Sequence, residues 1–314
     1  MDKILRIGCV DIDTSHPQGF ARCLRDGQRA RYAAVYNDGF RSDKEVEFFI
    51  RDCGLDKRCS SLEELADITD IGFVHSCNWD IHLSRAMPFI RKGKPVFIDK
   101  PVVGNLDDCE KLMALSDSGA VIFGGSAMRY ANEIRDFLAM NTQDRGEILN
   151  VYGTVGVDDF NYAIHIVESI MEVAGKRPVS CRFNFSATRC GAVCDNYSIR
   201  FDDDVTASYT VTAGLWQPCV LVVMTTKGVW HFQIDHTKVY KALLDNICDQ
   251  MQNGCSRTVS VGELVDSIKV MLACKCSKLN DSAEIYIDGL PRDVRFDGSE
   301  FARQYAINAA PIYS

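Results

Sequence analysis

Ile71-Gly72-Phe73-Val74-His75-Ser76-Cys77 is an apolar run that turns polar at its end. Ile81–Lys92 follows with helical periodicity, and Pro95-Val96-Phe97-Ile98 is a second apolar run. Strand, amphipathic helix and strand in that order make a βαβ unit, the building block of a parallel sheet covered on both faces. The pattern extends both ways. Upstream, Ile4–Val10 and Tyr32–Tyr36 read as strands, and Pro17–Asp26 and Lys44–Cys53 as helices, the latter with Val46, Phe49 and Ile50 on one face. Downstream, Leu106–Ser118 reads as a helix and Val121–Phe123 as a strand. The first half is expected to be a doubly wound α/β sheet, which takes its ligands beyond the carboxyl ends of its strands.

From Ile148 the pattern changes. Ile148–Val157 alternates as a strand, and Phe160–Val173 is a strong helix. Five strand-like runs follow: Cys181–Ala187, Tyr197–Phe201, Thr206–Thr212, Val220–Met224 and Val229–Ile234. Helices are expected at Val239–Met251 and Gly262–Lys278. This half reads as an α+β domain with an antiparallel meander, which sets the domains at 1–125 and 126–314. About three helices leave one sheet face uncovered. An exposed apolar face of that size predicts a homo-oligomer, most simply a homodimer.

Composition narrows the function. Of 314 residues, 46% are hydrophobic and 25% charged, an ordinary globular mixture. No stretch has the ~20 apolar residues of a membrane span. A net charge of −8 without a basic block argues against nucleic acid as a partner. Met1-Asp2-Lys3-Ile4-Leu5-Arg6 lacks a signal-peptide core, so the fourteen cysteines are expected as reduced thiols in the cytoplasm. Cys190/Cys194 and Cys274/Cys276 lack zinc-knuckle spacing, and Asp202-Asp203-Asp204 reads as a polar turn rather than a metal site.

The loop after the first strand is Asp11-Ile12-Asp13-Thr14-Ser15-His16. It places Asp11, Asp13 and His16 where a G-x-G-x-x-G loop has glycines. A carboxylate ~5 Å from a phosphate costs about 3 kcal/mol at an effective dielectric of ~20. Asp13 is therefore expected to turn inward, capping amides or pairing with His16. Thr14 and Ser15, just before Pro17, suit a helix cap or an anion site. Other polar groups gather at strand ends: Ser76, Asn78 and His82; Asp99 and Lys100; Asn37 and Asp38, with Arg41 beyond. Asn161, His165 and Glu168 fall on one helical face.

Gly93-Lys94-Pro95-Val96-Phe97-Ile98-Asp99-Lys100-Pro101 resembles the G-K-H-V-x-x-E-K-P segment of the Gfo/Idh/MocA oxidoreductases. Ser76–His82 resembles that family's T-P-N-x-x-H, Ser61–Leu65 the helix before it, Met128-Arg129-Tyr130 its R-[FY] segment, and Asn161–Glu168 its D-x-G-x-H-x-x-D helix. The resemblance implies a Rossmann domain with an open-sheet domain that often dimerises. It also implies NAD or NADP as cofactor and a sugar, cyclitol or related alcohol as substrate. By it, Lys100 and His165 share proton transfer and Asn161 orients the hydroxyl. Arg129 joins them at the substrate. Asp13, Thr14, Ser15, His16, Asn37, Asp38, Ser76, Asn78, His82, Asp99 and Lys100 line the cofactor. A lysine serves as base only if burial or a nearby cation lowers its pKa, whereas histidine starts near the useful range. Asn161, Asp99 and the glycine-free loop depart from the family pattern. They leave open a member that binds a sugar-like ligand or oligomerises without turnover. A lyase or glycosidase using bound NAD for transient oxidation is also left open.

Overall fold

A computed structural model describes residues 4–25, 28–254 and 257–313. Met1–Lys3 of the charged lead-in and Asp26, the expected end of the first helix, lie outside them.

The first domain alternates β1 (Leu5–Val10), α1 (His16–Arg25), β2 (Ala30–Tyr36), α2 (Asp43–Cys53), β3 (Lys57–Arg58), α3 (Leu62–Ile68), β4 (Ile71–Val74), α4 (His82–Arg91), β5 (Val96–Asp99), α5 (Leu106–Asp117) and β6 (Ile122–Gly125). The six strands are parallel, in the order β3-β2-β1-β4-β5-β6. This is the doubly wound order, with its switch point between β1 and β4. β4 stops at Val74, so His75, Ser76 and Cys77 stand beyond the strand rather than in it. Local signals set the helices: Ser42 and Glu45 form a capping box on α2, which ends at Gly54 with φ 66°.

The second domain begins with two short helices, α6 (Asn132–Ala139) and α7 (Thr142–Arg145). Then come β7 (Ile148–Val157), α8 (Ala163–Ala174), β8 (Pro178–Arg189), β9 (Ala192–Phe201), β10 (Thr206–Ala213), β11 (Val220–Thr225), β12 (Val229–Gln233), α9 (Val239–Asn253), α10 (Val261–Leu279), β13 (Ile285–Tyr286) and α11 (Gly298–Asn308). The sheet order is β12-β11-β7-β10-β9-β8-β13. It is not a simple meander: β7 sits inside the sheet and pairs parallel with β10. Asp202–Asp204 forms the turn between β9 and β10.

α8 and α10 cover one face, packing on Val151, Tyr209, Ile199 and Leu221. The expectation of an apolar opposite face is corrected. Cross-strand pairs place Asn150, Tyr152 and Thr154 beside Thr206, Ser208 and Thr210, then Arg200, Ser198 and Asn196. The β11–β12 edge adds Val220, Val222, Met224 and Val229, and β8 adds the exposed Phe185 opposite Asn196. Hydroxyls and amides fill the middle of the face, so its apolar groups are split between the two edges rather than joined in one continuous patch. The described cysteines are all free, and no helix among the described residues is long and apolar enough to cross a membrane.

Candidate active site

At the end of β1, Asp11 takes φ 59°, a left-handed conformation that Asp tolerates better than most side chains. Its buried carboxylate accepts from the Asp38 N–H at 2.8 Å and from the Ser76 hydroxyl, with Arg85 Nε 3.4 Å away. Asp13 also turns inward and accepts from the Cys77 N–H at 3.0 Å. Its partner is thus an amide and not His16. Burial first, then the Asp11 charge, pushes the Asp13 carboxyl up to about 6. A raised carboxyl pKa favours the fold below the unfolded value and loses that contribution as pH rises toward the folded one. Asp13→Asn keeps an acceptor for Cys77. Its stability relative to wild type is therefore expected to improve by about 2–3 kcal/mol between pH 4 and pH 7. Urea unfolding at both pH values measures this, and a pH-independent difference would contradict it.

Lys100 and Asn161 meet across the domains, with Lys100 Nζ donating to Asn161 Oδ1 at 2.9 Å and to its carbonyl at 3.1 Å. Lys100 and His165 both approach the Tyr162 ring, whose centroid is 5.4 Å from Lys100 Nζ and 5.7 Å from the His165 ring. Burial lowers the Lys100 pKa, opposed by Asp99, Asp158 and Glu168. Burial, then the charges of Lys100 and His16, holds His165 well below the usual histidine range. His165 is therefore neutral at neutral pH and available as an acceptor.

His165 is oriented from the junction of the domains. Its Nδ1 lies 2.6 Å from the Ser126 hydroxyl, and the Ser126 N–H donates to Glu168 at 2.9 Å. Asn161 precedes α8 rather than sharing its face, while His165 and Glu168 do share one. Arg129, expected at the substrate, is corrected to a structural role. It is 3% exposed and donates to Glu168 at 2.8 Å and Ser267 at 2.6 Å.

Other expected cofactor contacts are taken up internally. His82 is 1% exposed, with Nε2 2.8 Å from the Ser76 carbonyl and Nδ1 3.1 Å from that of Val102. Asn37 accepts from the Ile12 N–H and donates to the Arg41 carbonyl. Asp38 is exposed and paired with Arg85 at 2.9 Å. Asn78 caps the Asp80 N–H, and the Thr14 hydroxyl accepts from the His16 N–H. Only Ser15 stays exposed on this loop.

Sequence reasoning missed three features. His75 lies between Asp99 and Tyr32, and Tyr240 of α9 packs 5.4 Å from the His16 ring. The largest omission is the C-terminal segment. Asp80 accepts from the Gly298 and Ser299 N–H groups, starting α11 on the loop after β4. Phe301 packs on Trp79, and Tyr305 on Phe40. Arg41 donates to the Ala310 carbonyl at 2.7 Å, and the Ile312 N–H to Glu45 at 3.4 Å. The segment thus crosses the carboxyl edge from β4 past β1 to α2. A cavity of about 270 Å³ remains among Ser15, Gln18, Arg22, Arg41, Tyr305 and the tail.

That crevice is where a dinucleotide lies on a doubly wound sheet. With α11 in place the residues do not fit a whole dinucleotide. Arg41 is spent on Asp13, Glu45 and Ala310, and the loop offers no glycine cradle.

Residues 7–124 match the model of an oxidoreductase family with an NAD-binding Rossmann fold, Gfo/Idh/MocA. No curated protein matches the chain in sequence. Among solved structures, the chain is similar to scyllo-inositol dehydrogenase from Lactobacillus casei with bound NAD(H) and scyllo-inositol. That match has 14% identity and TM-score 0.77, covering 91% of this chain and 100% of that one. It is similar to myo-inositol dehydrogenase from Lactobacillus casei in complex with NAD(H) and myo-inositol, at 13% identity, 0.77, 90% and 97%. It is also similar to myo-inositol 2-dehydrogenase from Lactobacillus plantarum, at 16%, 0.77, 90% and 99%. At these identities the likeness establishes the shared fold.

Proposed function

We propose that this chain, whose residues 7–124 match the Gfo/Idh/MocA oxidoreductase family, is an NAD(P)-dependent oxidoreductase of a cyclitol, sugar or related secondary alcohol. The observation that carries this reading is the Lys100–Asn161–Tyr162–His165 cluster, gathered where the two domains meet. Asn161 orients the hydroxyl that reacts, and Lys100, its pKa lowered by burial, shares the proton transfer with His165. Neutral His165, with Nδ1 on Ser126, offers its other nitrogen to the hydroxyl proton. The nicotinamide, where bound, supplies the hydride acceptor. NAD is preferred to NADP because three of the five Arg41 N–H groups are held by the Asp13 carbonyl and Glu45 whether or not the C-terminal segment is in place.

The position of α11 makes cofactor entry conditional on the C-terminal segment leaving the crevice. It also favours a second reading: a member that binds a polyol without redox turnover. Calorimetric titration of NAD separates them. A chain ending at Asp297 is expected to bind NAD at least ten times more tightly than the full chain. Asp80→Ala, which removes the acceptor for the first α11 amides, should move affinity the same way in the full-length protein. No binding by any of the three would favour the second reading.

A further inference from the structure

Two departures from the family segments meet in space. His16 stands in the glycine-free loop and Asp99 before Lys100, yet His16 Nδ1 lies 2.8 and 3.0 Å from the two Asp99 oxygens. We infer that His16 is a third proton-accepting group of the cleft, its Nε2 lone pair preset by the Asp99 carboxylate. The inference deepens the reading above and rests on it for the substrate class.

The argument is one of hydrogen-bond accounting. Burial pushes the Asp99 carboxyl up, but the charges and hydrogen bonds of His16 and His75 carry it well below its ordinary value. An ionised carboxylate only accepts, so each imidazole must present Nδ1–H. His75 then uses Nε2 on the Tyr32 hydroxyl at 2.8 Å and is closed off. His16 makes no hydrogen bond through Nε2 among the described residues, and its side chain keeps 14% exposure. The Asp99 oxygen that lies 3.0 Å from His16 Nδ1 also accepts from the Lys100 N–H at 2.8 Å, so the ring stands next to the Lys100 backbone. Burial, which outweighs Asp99, lowers its pKa and keeps it neutral. When a substrate O–H proton passes to Nε2, the O–H bond breaks and N–H forms. The imidazolium is balanced by Asp99, and the alkoxide faces Lys100. Asp99 is the positioning residue.

Long-range ¹H–¹⁵N spectra of the labelled full chain test this without turnover. His16 is expected as the Nδ1–H tautomer. In Asp99→Asn the Lys100 N–H holds the amide oxygen in place of Oδ1, so the amide NH₂ faces both imidazoles. His16 should then switch to Nε2–H, and its carbethoxylation by diethyl pyrocarbonate, mapped by mass spectrometry, should slow at least tenfold. Asp99→Glu should restore the wild-type tautomer. An Nε2–H tautomer in wild type, or no switch in a folded Asp99→Asn protein, overturns the inference. Adding scyllo-inositol should move the His16 Nε2 resonance. An unmoved resonance counts against the polyol reading, while the dyad stands on its tautomer.

Discussion

Lys100→Met is expected to lower turnover by about 10²–10⁴-fold, the range supplied by a positioned proton-transfer group. The fold should survive, because Nζ bonds only to Asn161 and lies beside the Tyr162 ring. Steady-state rates on a polyol that the wild type oxidises, with circular dichroism as the folding control, measure this. Retention of more than about a tenth of the rate would remove Lys100 from proton transfer.

Arg129→Ala carries the largest expected cost in stability. It strands the Glu168 carboxylate, 1% exposed, beside the Ser126 amide, and removes the bond to Ser267. Breaking one side of a buried ion pair typically costs about 3–5 kcal/mol. Urea unfolding should register that loss, and a change under about 1 kcal/mol would mean that Glu168 finds another partner. Ser126 bonds both Glu168 and His165, so the variant should also disorder the His165 imidazole.

Elements with strong local signals were legible in the sequence. Ile148–Val157 appears as a strand with the expected bounds, and α4 and α5 differ by only a residue or so at each end. Periodicity and capping are short-range properties, and they survive folding unchanged. The meeting of Lys100 with Asn161 was expected from the resemblance of their two segments to those of one family. Three things were not. β7 entering the sheet beside β10 depends on pairing across more than 50 residues, with Asn150 opposite Thr206. Arg129 looked like a substrate group because sequence shows charge but not the Glu168 that neutralises it. α11 has a mostly polar helix sequence, and contacts in the other domain with Asp80, Trp79 and Phe40 give it a place.

That docking of α11 has a consequence for the order of events at the ribosome. Gly298 and the Asp80 that receives it are 218 positions apart. At about 5–20 residues per second, the nascent first domain waits about 10–40 s for its cover. During that interval Trp79 and Phe40 lack their Phe301 and Tyr305 partners, and the crevice stands open to whatever small molecule or chaperone reaches it first. The newborn protein thus passes through a stage that the mature one has to undo its C-terminal segment to revisit.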